Sequence, residues 1–199
     1  MINDLDSTLR TLLKRELPPS LASQVAISFD PPDDQFPPTS VTLPAIDLFL
    51  YDVRENHDLR GNDFRERRDS NGSAVKRMPL VRVDCSYLIT AWPSQGAPNR
   101  SEDEHRLLSV VMMALLRYPK LPDNVLQGTL RSQELPLPTT TLQPGRLQSL
   151  GEFWQALGGK PKSALNYTIT IAVQPFEEIV TPLVVAADAR FGPVEDAST

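Results

Sequence analysis

The stretch PAIDLFLYDVRENHDLR, residues 44–60, decides how this chain folds. Ile46, Leu48 and Leu50 recur every second residue, and successive side chains of a strand point to opposite faces. The alternation therefore predicts a strand over 45–53 with one face buried in a sheet. The polar run from Asp52 through Arg54, Glu55 and Asn56 is what such a sheet presents to a partner.

Working outward from this strand, the upstream chain opens with Ile2, Leu5, Leu9, Leu12 and Leu13 at helical spacing, behind Asn3 and Asp4 as N-caps. The pattern stops at Leu17 before Pro18 and Pro19. Val25, Ile27 and Phe29 alternate as a short strand that ends in the proline-rich run 30–38, read as a surface connection. Downstream, residues 55–78 hold almost no apolar side chains. With Arg54 counted, they mix seven basic and five acidic residues. Such a segment buries too little surface to offset its ordering entropy and is expected to be a mobile loop until a partner binds it.

Residues 80–92 return to strict alternation, with Val81, Val83, Cys85, Tyr87, Ile89 and Ala91 on one face and Arg82, Asp84, Ser86 and Thr90 on the other. Ser101 and Glu104 suggest a capping box for a helix running to about Tyr118 before Pro119. Its centre, LLSVVMMALL, is apolar nearly all round, so it is covered on more than one side. Residues 125–130 read as either a helical turn or a strand, and 135–145 as an extended segment. A short helix over 150–157 carries Phe153 and Trp154 and stops at Gly158 and Gly159. Residues 164–173 alternate as a strand, and 183–187 read as a last strand or arm. The pattern is that of one α+β domain, a mixed sheet packed against helices.

The totals narrow the function. The chain has 199 residues, a formal net charge of −5 and 19 prolines. An acidic balance argues against nucleic acid, since phosphate binding needs a concentrated positive face. Arg65, Arg67, Arg68, Lys76 and Arg77 are locally basic, but Glu66 and Asp69 interrupt them and Phe64 is their one interleaved aromatic residue. No signal peptide or membrane span is expected, which points to cytoplasmic assembly without membrane insertion. Cys85 shares its face with Val83, Tyr87 and Ile89 and reads as a small buried hydrophobe, not a nucleophile. His57 and His105 lack partners at metal-ligand spacing. Asp30, Asp33 and Asp34 lack the alternation and glycine of a calcium loop. No catalytic, cofactor or metal site is expected. Trp92, at a strand end, reads as the more exposed of the two tryptophans.

Taken together, MINDLDSTLRTLLKRELP, LFLYDVRENHDLR, PLVRVDCSYLITAW, EDEHRLLSVVMMALL and NYTITIAV resemble the cap, or tail-terminator, family of phage-tail-like contractile injection systems. The resemblance covers about residues 1–175, leaving 176–199 as a C-terminal strand or arm and tail. It implies a mainly antiparallel sheet of four to five strands packed against two to three helices. It also implies a non-enzymatic structural protein: a homo-oligomer, expected to be a hexameric ring, on the inner tube and sheath at the end distal to the baseplate. There it would end polymerisation and anchor the last layer. Such a terminator has no catalytic residues to transfer.

Polarity and position then suggest Arg54, Glu55, Asn56, Arg60, Arg65, Arg67, Arg68 and Trp92 for contact with tube or sheath. Met112, Met113, Leu116, Leu183, Val184 and Val185 suggest themselves for contact between subunits. The rival reading is an assembly adaptor or chaperone absent from the finished particle; a hydrolase or metalloenzyme is remote, since no nucleophile is paired with a base.

Overall fold

The computed structural model describes residues 1–61, 65–68, 73–143 and 149–182. Helix α1 spans Ile2–Glu16 and ends where Leu17 turns extended ahead of Pro18. Its apolar stripe, Leu5, Leu9, Leu12 and Leu13, is fully buried, and Leu17 nearly so. The N-cap is Met1, not the expected Asn3 or Asp4. Asp4 is used elsewhere: its carboxylate accepts hydrogen bonds from the backbone N–H (3.1 Å) and hydroxyl (2.6 Å) of Thr129. A short helix α2, Pro19–Ala22, follows.

Strands β1 (Ala26–Ser28), β2 (Ala45–Glu55), β3 (Arg65–Arg68), β4 (Ser73–Arg77) and β5 (Val81–Trp92) lead to helix α3 (Arg100–Leu116). Beyond it lie β6 (Thr139–Thr141), helix α4 (Leu150–Ala156), β7 (Ala164–Val173) and β8 (Ile179–Pro182). A five-stranded mixed sheet runs in the order β1-β2-β5-β7-β6. β1 pairs parallel to β2, and the other neighbours are antiparallel. The fold is thus α+β with a mainly antiparallel sheet, as expected. Ile46, Leu48, Cys85, Tyr87, Ile89, Tyr167, Ile169 and Ile171 face α1 and α3 in one core. Tyr87 donates from Oη to Asp6 of α1 at 2.8 Å, fixing how that helix lies on the sheet. Burial raises the Asp6 carboxyl above the usual range, although the Tyr87 bond acts against it.

Several expectations are resolved or corrected. The polar face of β5, for which the alternation left the covering undetermined, is buried at Arg82, Asp84, Ser86 and Thr90. Ser86 and Thr168 share a hydroxyl bond (2.9 Å), Thr170 donates to Asp84 (2.7 Å), and Arg82 donates to the Pro136 carbonyl (3.2 Å). Buried polar groups persist where partners satisfy them, and here those partners come from residues far along the chain. Residues 125–130, read as either a helical turn or a strand, take the first form, in the 3-10 turns Asp123–Val125 and Gly128–Ser132. Helix α3 begins at Arg100 with Asn99 as N-cap, so Ser101 and Glu104 form no capping box. Glu104 instead pairs with Lys162 (2.5 Å). Nor is 30–38 purely a surface connection, because Pro32 and Phe36 are buried.

The larger correction concerns 55–78, which carries regular structure. The chain divides into two compact units, one of Met1–Arg60 and Val81–Val173, the other built from 61–80 and 174–199. In the second unit β3, β4 and β8 form an antiparallel sheet in that order. Ala74 and Val75 are buried in it. The composition of 55–78 conceals this, because the strand that pairs with β4 lies about a hundred residues later. The strand or arm expected over 183–187 lies outside the described residues; β8 ends just before it.

Candidate partner interface

Within the larger unit, the residues expected to meet a partner fall at two separate places. At the first, β2 carries a bulge between Leu50 and Asp52 and then runs to Glu55. Arg54 grips both oxygens of Asp52, Nε at 2.6 Å and an NH2 nitrogen at 2.7 Å. One hydrogen bond, to Oδ1, and the close ion-pair approach of Nε to Oδ2 hold the exposed guanidinium beside Asp52. Glu55 pairs with Arg60 at 3.5 Å, bridging the 3-10 turn His57–Leu59.

Asn56 has an internal role. Its Nδ2 donates to both oxygens of Asp84 (3.0 and 3.1 Å), and its Oδ1 accepts from the backbone N–H of Leu59 (3.0 Å). It closes the turn that presents Arg54 and Arg60, so its effect on a partner passes through them.

Trp92 stands elsewhere. Arg54 lies opposite Asp84 in the ladder, and eight residues of β5 separate Asp84 from Trp92. At about 3.3 Å per residue that is roughly 26 Å, so the two belong to different surfaces. Trp92 is half-buried, donates from its indole N–H to Thr90 (2.9 Å) and stacks against Phe36 with centroids 4.4 Å apart.

Arg65, Arg67 and Arg68 lie on β3, in register with Arg77, Val75 and Ala74 of β4. On α3, Met113 and Leu116 are 54% and 48% exposed, whereas Met112 packs against the core. Leu183, Val184 and Val185 lie outside the described residues. Sequence reasoning missed the exposed apolar residues of and before β8: Phe176, Ile179 (51% exposed) and Val180 (65%). The apolar run from Ile179 was visible, but its alternation is too short to say which side is covered. Arg77 and Glu178 form an ion pair at 3.1 Å in the same unit.

Cys85 is fully buried, and desolvation pushes its thiol up to about 11, the reverse of what a nucleophile needs. Among the described residues no group of three or more His, Cys, Asp or Glu is placed to hold a metal ion. No helix among them is long and apolar enough to cross a membrane.

The model of the Pvc16 N-terminal domain matches residues 4–186. This chain belongs to the Pvc16 N-terminal domain family. Among solved structures, this chain is similar to the PVC sheath/tube terminator, in its extended state, of an extracellular contractile injection system. The TM-score is 0.73 and the identity 27%, over 100% of this chain and 65% of that one. It is also similar to the tube-terminating cap of the anti-feeding prophage, with a TM-score of 0.58 and 25% identity, over 98% of this chain and 59% of that one. The domain thus spans just under two thirds of the length of these proteins. No curated protein matches it.

Proposed function

We propose that the chain is the terminator, or cap, of a contractile injection system: a structural subunit that binds the end of the inner tube and sheath and stops their growth. The observation that carries this reading is the likeness, over the whole chain, to a sheath/tube terminator. The physics of the role agrees with the surface described above. A growing tube exposes unpaired strand edges and apolar seams, and a terminator must complement them on one side while offering no template for the next layer.

The finer reading is a closed ring, expected to be a hexamer. Each subunit of such a ring uses two different patches, as heterologous contacts require. Met113 and Leu116 of α3 are the subunit-contact candidates. Arg54 and Arg60, and the β3–β4 hairpin with β8, are the candidates for tube or sheath. The role is structural rather than catalytic. Electron microscopy of particles made with and without the gene tests it. Loss of density at the end opposite the baseplate, with irregular or missing sheaths, is the expected result. Normal, capped particles without the gene would remove the terminator reading in favour of an assembly adaptor.

A further inference from the structure

At the Trp92 end of the five-stranded sheet lies a pocket of about 310 Å³. Its floor is the Phe36–Trp92 aromatic pair, and the indole is held in place by its bond to Thr90. The walls approach closely because Gly159 has no side chain. A Cβ there would stand 3.1 Å from the Pro32 carbonyl oxygen and 3.3 Å from the Trp154 ring.

Charge in the pocket is unevenly spent. The Lys162 ammonium sits 4.4 Å from the Trp92 ring centroid, but Glu104 neutralises it. At the rim, Asp33 gives one oxygen to the Gln35 N–H (2.9 Å), and Asp34 has no hydrogen-bond or ion-pair partner among the described residues. Both carboxylates line the pocket, where Lys160 is the one lining cation without an ion-pair partner among the described residues; with the Lys162–Glu104 pair neutral, the balance is one negative charge.

Size and chemistry together select the occupant. Sites that enclose small-molecule ligands run from roughly 300 to 1,000 Å³, and this one is at the bottom of that range. It has room for one large side chain and the start of the next. Aromatic walls suit an apolar ring, and the spare carboxylates suit a cation beside it.

We propose that this pocket docks an extended segment of a partner protein that carries a large apolar side chain next to a basic residue, the ring entering beside Trp92 and the cation meeting Asp33 and Asp34. The site is separate from the Arg54 surface and does not depend on the terminator reading.

Titration of the ¹⁵N-labelled chain with capped tripeptides tests the proposal through the two indole N–H signals, assigned with W92F. Lys-Phe-Arg is expected to move the Trp92 signal saturably and leave that of Trp154 in place. Glu-Phe-Glu and Lys-Ala-Arg are expected to move neither. D34K, at an exposed residue with no hydrogen bond to lose, and D33K/D34K are expected to weaken Lys-Phe-Arg binding, the double variant by about fivefold or more. Equal shifts with all three peptides, no shift with any, or undiminished binding by D34K and D33K/D34K would each overturn the proposal.

Discussion

Asp47 is wholly buried on β2, in register with Ser28 of β1 and Thr90 of β5, and among the described residues neither carboxylate oxygen makes a well-formed hydrogen bond, although the Ser28 hydroxyl and the Leu48 N–H lie near enough to oppose the effect of burial in part. The Ser28 hydroxyl donates to Asp30 instead, at 2.7 Å. Desolvation, reinforced by the negative charge of Asp30, pushes the Asp47 carboxyl up to about 8, so it is protonated in the fold at neutral pH. The folded state therefore binds this proton more tightly than the unfolded chain. The stability it contributes is complete below the ordinary carboxylate value of about 4 and is lost as pH rises to about 8. D47N keeps the shape without the ionisation. Its melting temperature relative to the parent should rise between pH 5 and pH 8.5, and a constant difference would exclude Asp47 as the group responsible. Gly128 is a second residue whose identity matters, because its φ is +52° and a Cβ would lie 2.2 Å from an oxygen of Asp4. That carboxylate is held by Thr129 and cannot swing away without losing both bonds. G128A should cost about 1–2 kcal/mol, read by denaturant melting, and D4A in the same background should recover part of the loss.

At the scale of elements, the sheet is closed by side chains as well as by strands. β6 pairs with β7 only over Thr139–Thr141, and beyond it the amide of Gln133 takes over. Its Oε1 accepts from the Ala172 N–H (2.9 Å) and its Nε2 donates to the Ala172 carbonyl (2.6 Å), so one side chain stands in for a strand residue. Q133A should leave those groups unpaired and speed amide exchange at Ala172 several-fold, with little change at Thr168, which pairs with Thr140 of β6. The helices divide in the same way between legible and hidden features. The 3.6-residue stripe of α1 and its stop before Pro18 follow from local sequence. The apolar circumference of α3 gives no face, and packing alone sends Leu107, Leu108, Val111 and Leu115 inward and leaves Met113 and Leu116 outside.

At the scale of the whole molecule, the proposed ring and its docking surface make separable predictions. M113E/L116E replaces two exposed side chains, so the fold should survive with an unchanged circular dichroism spectrum. Light scattering should then show loss of higher-order assembly, whereas an unchanged mass would exclude this face of α3 as the subunit contact. R67E/R68E reverses charge on β3. It should weaken attachment to tube and sheath in a salt-dependent way while the isolated chain stays folded. Capping by that variant at the parental level would exclude the hairpin from the contact.

By itself the sequence determined the elements whose signals are local. These are the alternation of β2, β5 and β7, the stripe of α1, the stop of α4 at Gly158 and Gly159, and a pattern specific enough to place the chain in its family. The tertiary structure decided everything that depends on a partner distant in sequence. It paired β4 with β8, so that a charge-rich stretch reading as loop became sheet. It buried the polar face of β5 against hydroxyls and carbonyls from β7 and 133–138. It turned Asn56 inward to Asp84 and set Trp92 some 26 Å along β5 from the ladder position of Arg54. The physical reason is the same in each case. Periodicity reports which side chains share a face, but whether that face is covered, and by what, depends on contacts that form only when remote segments meet.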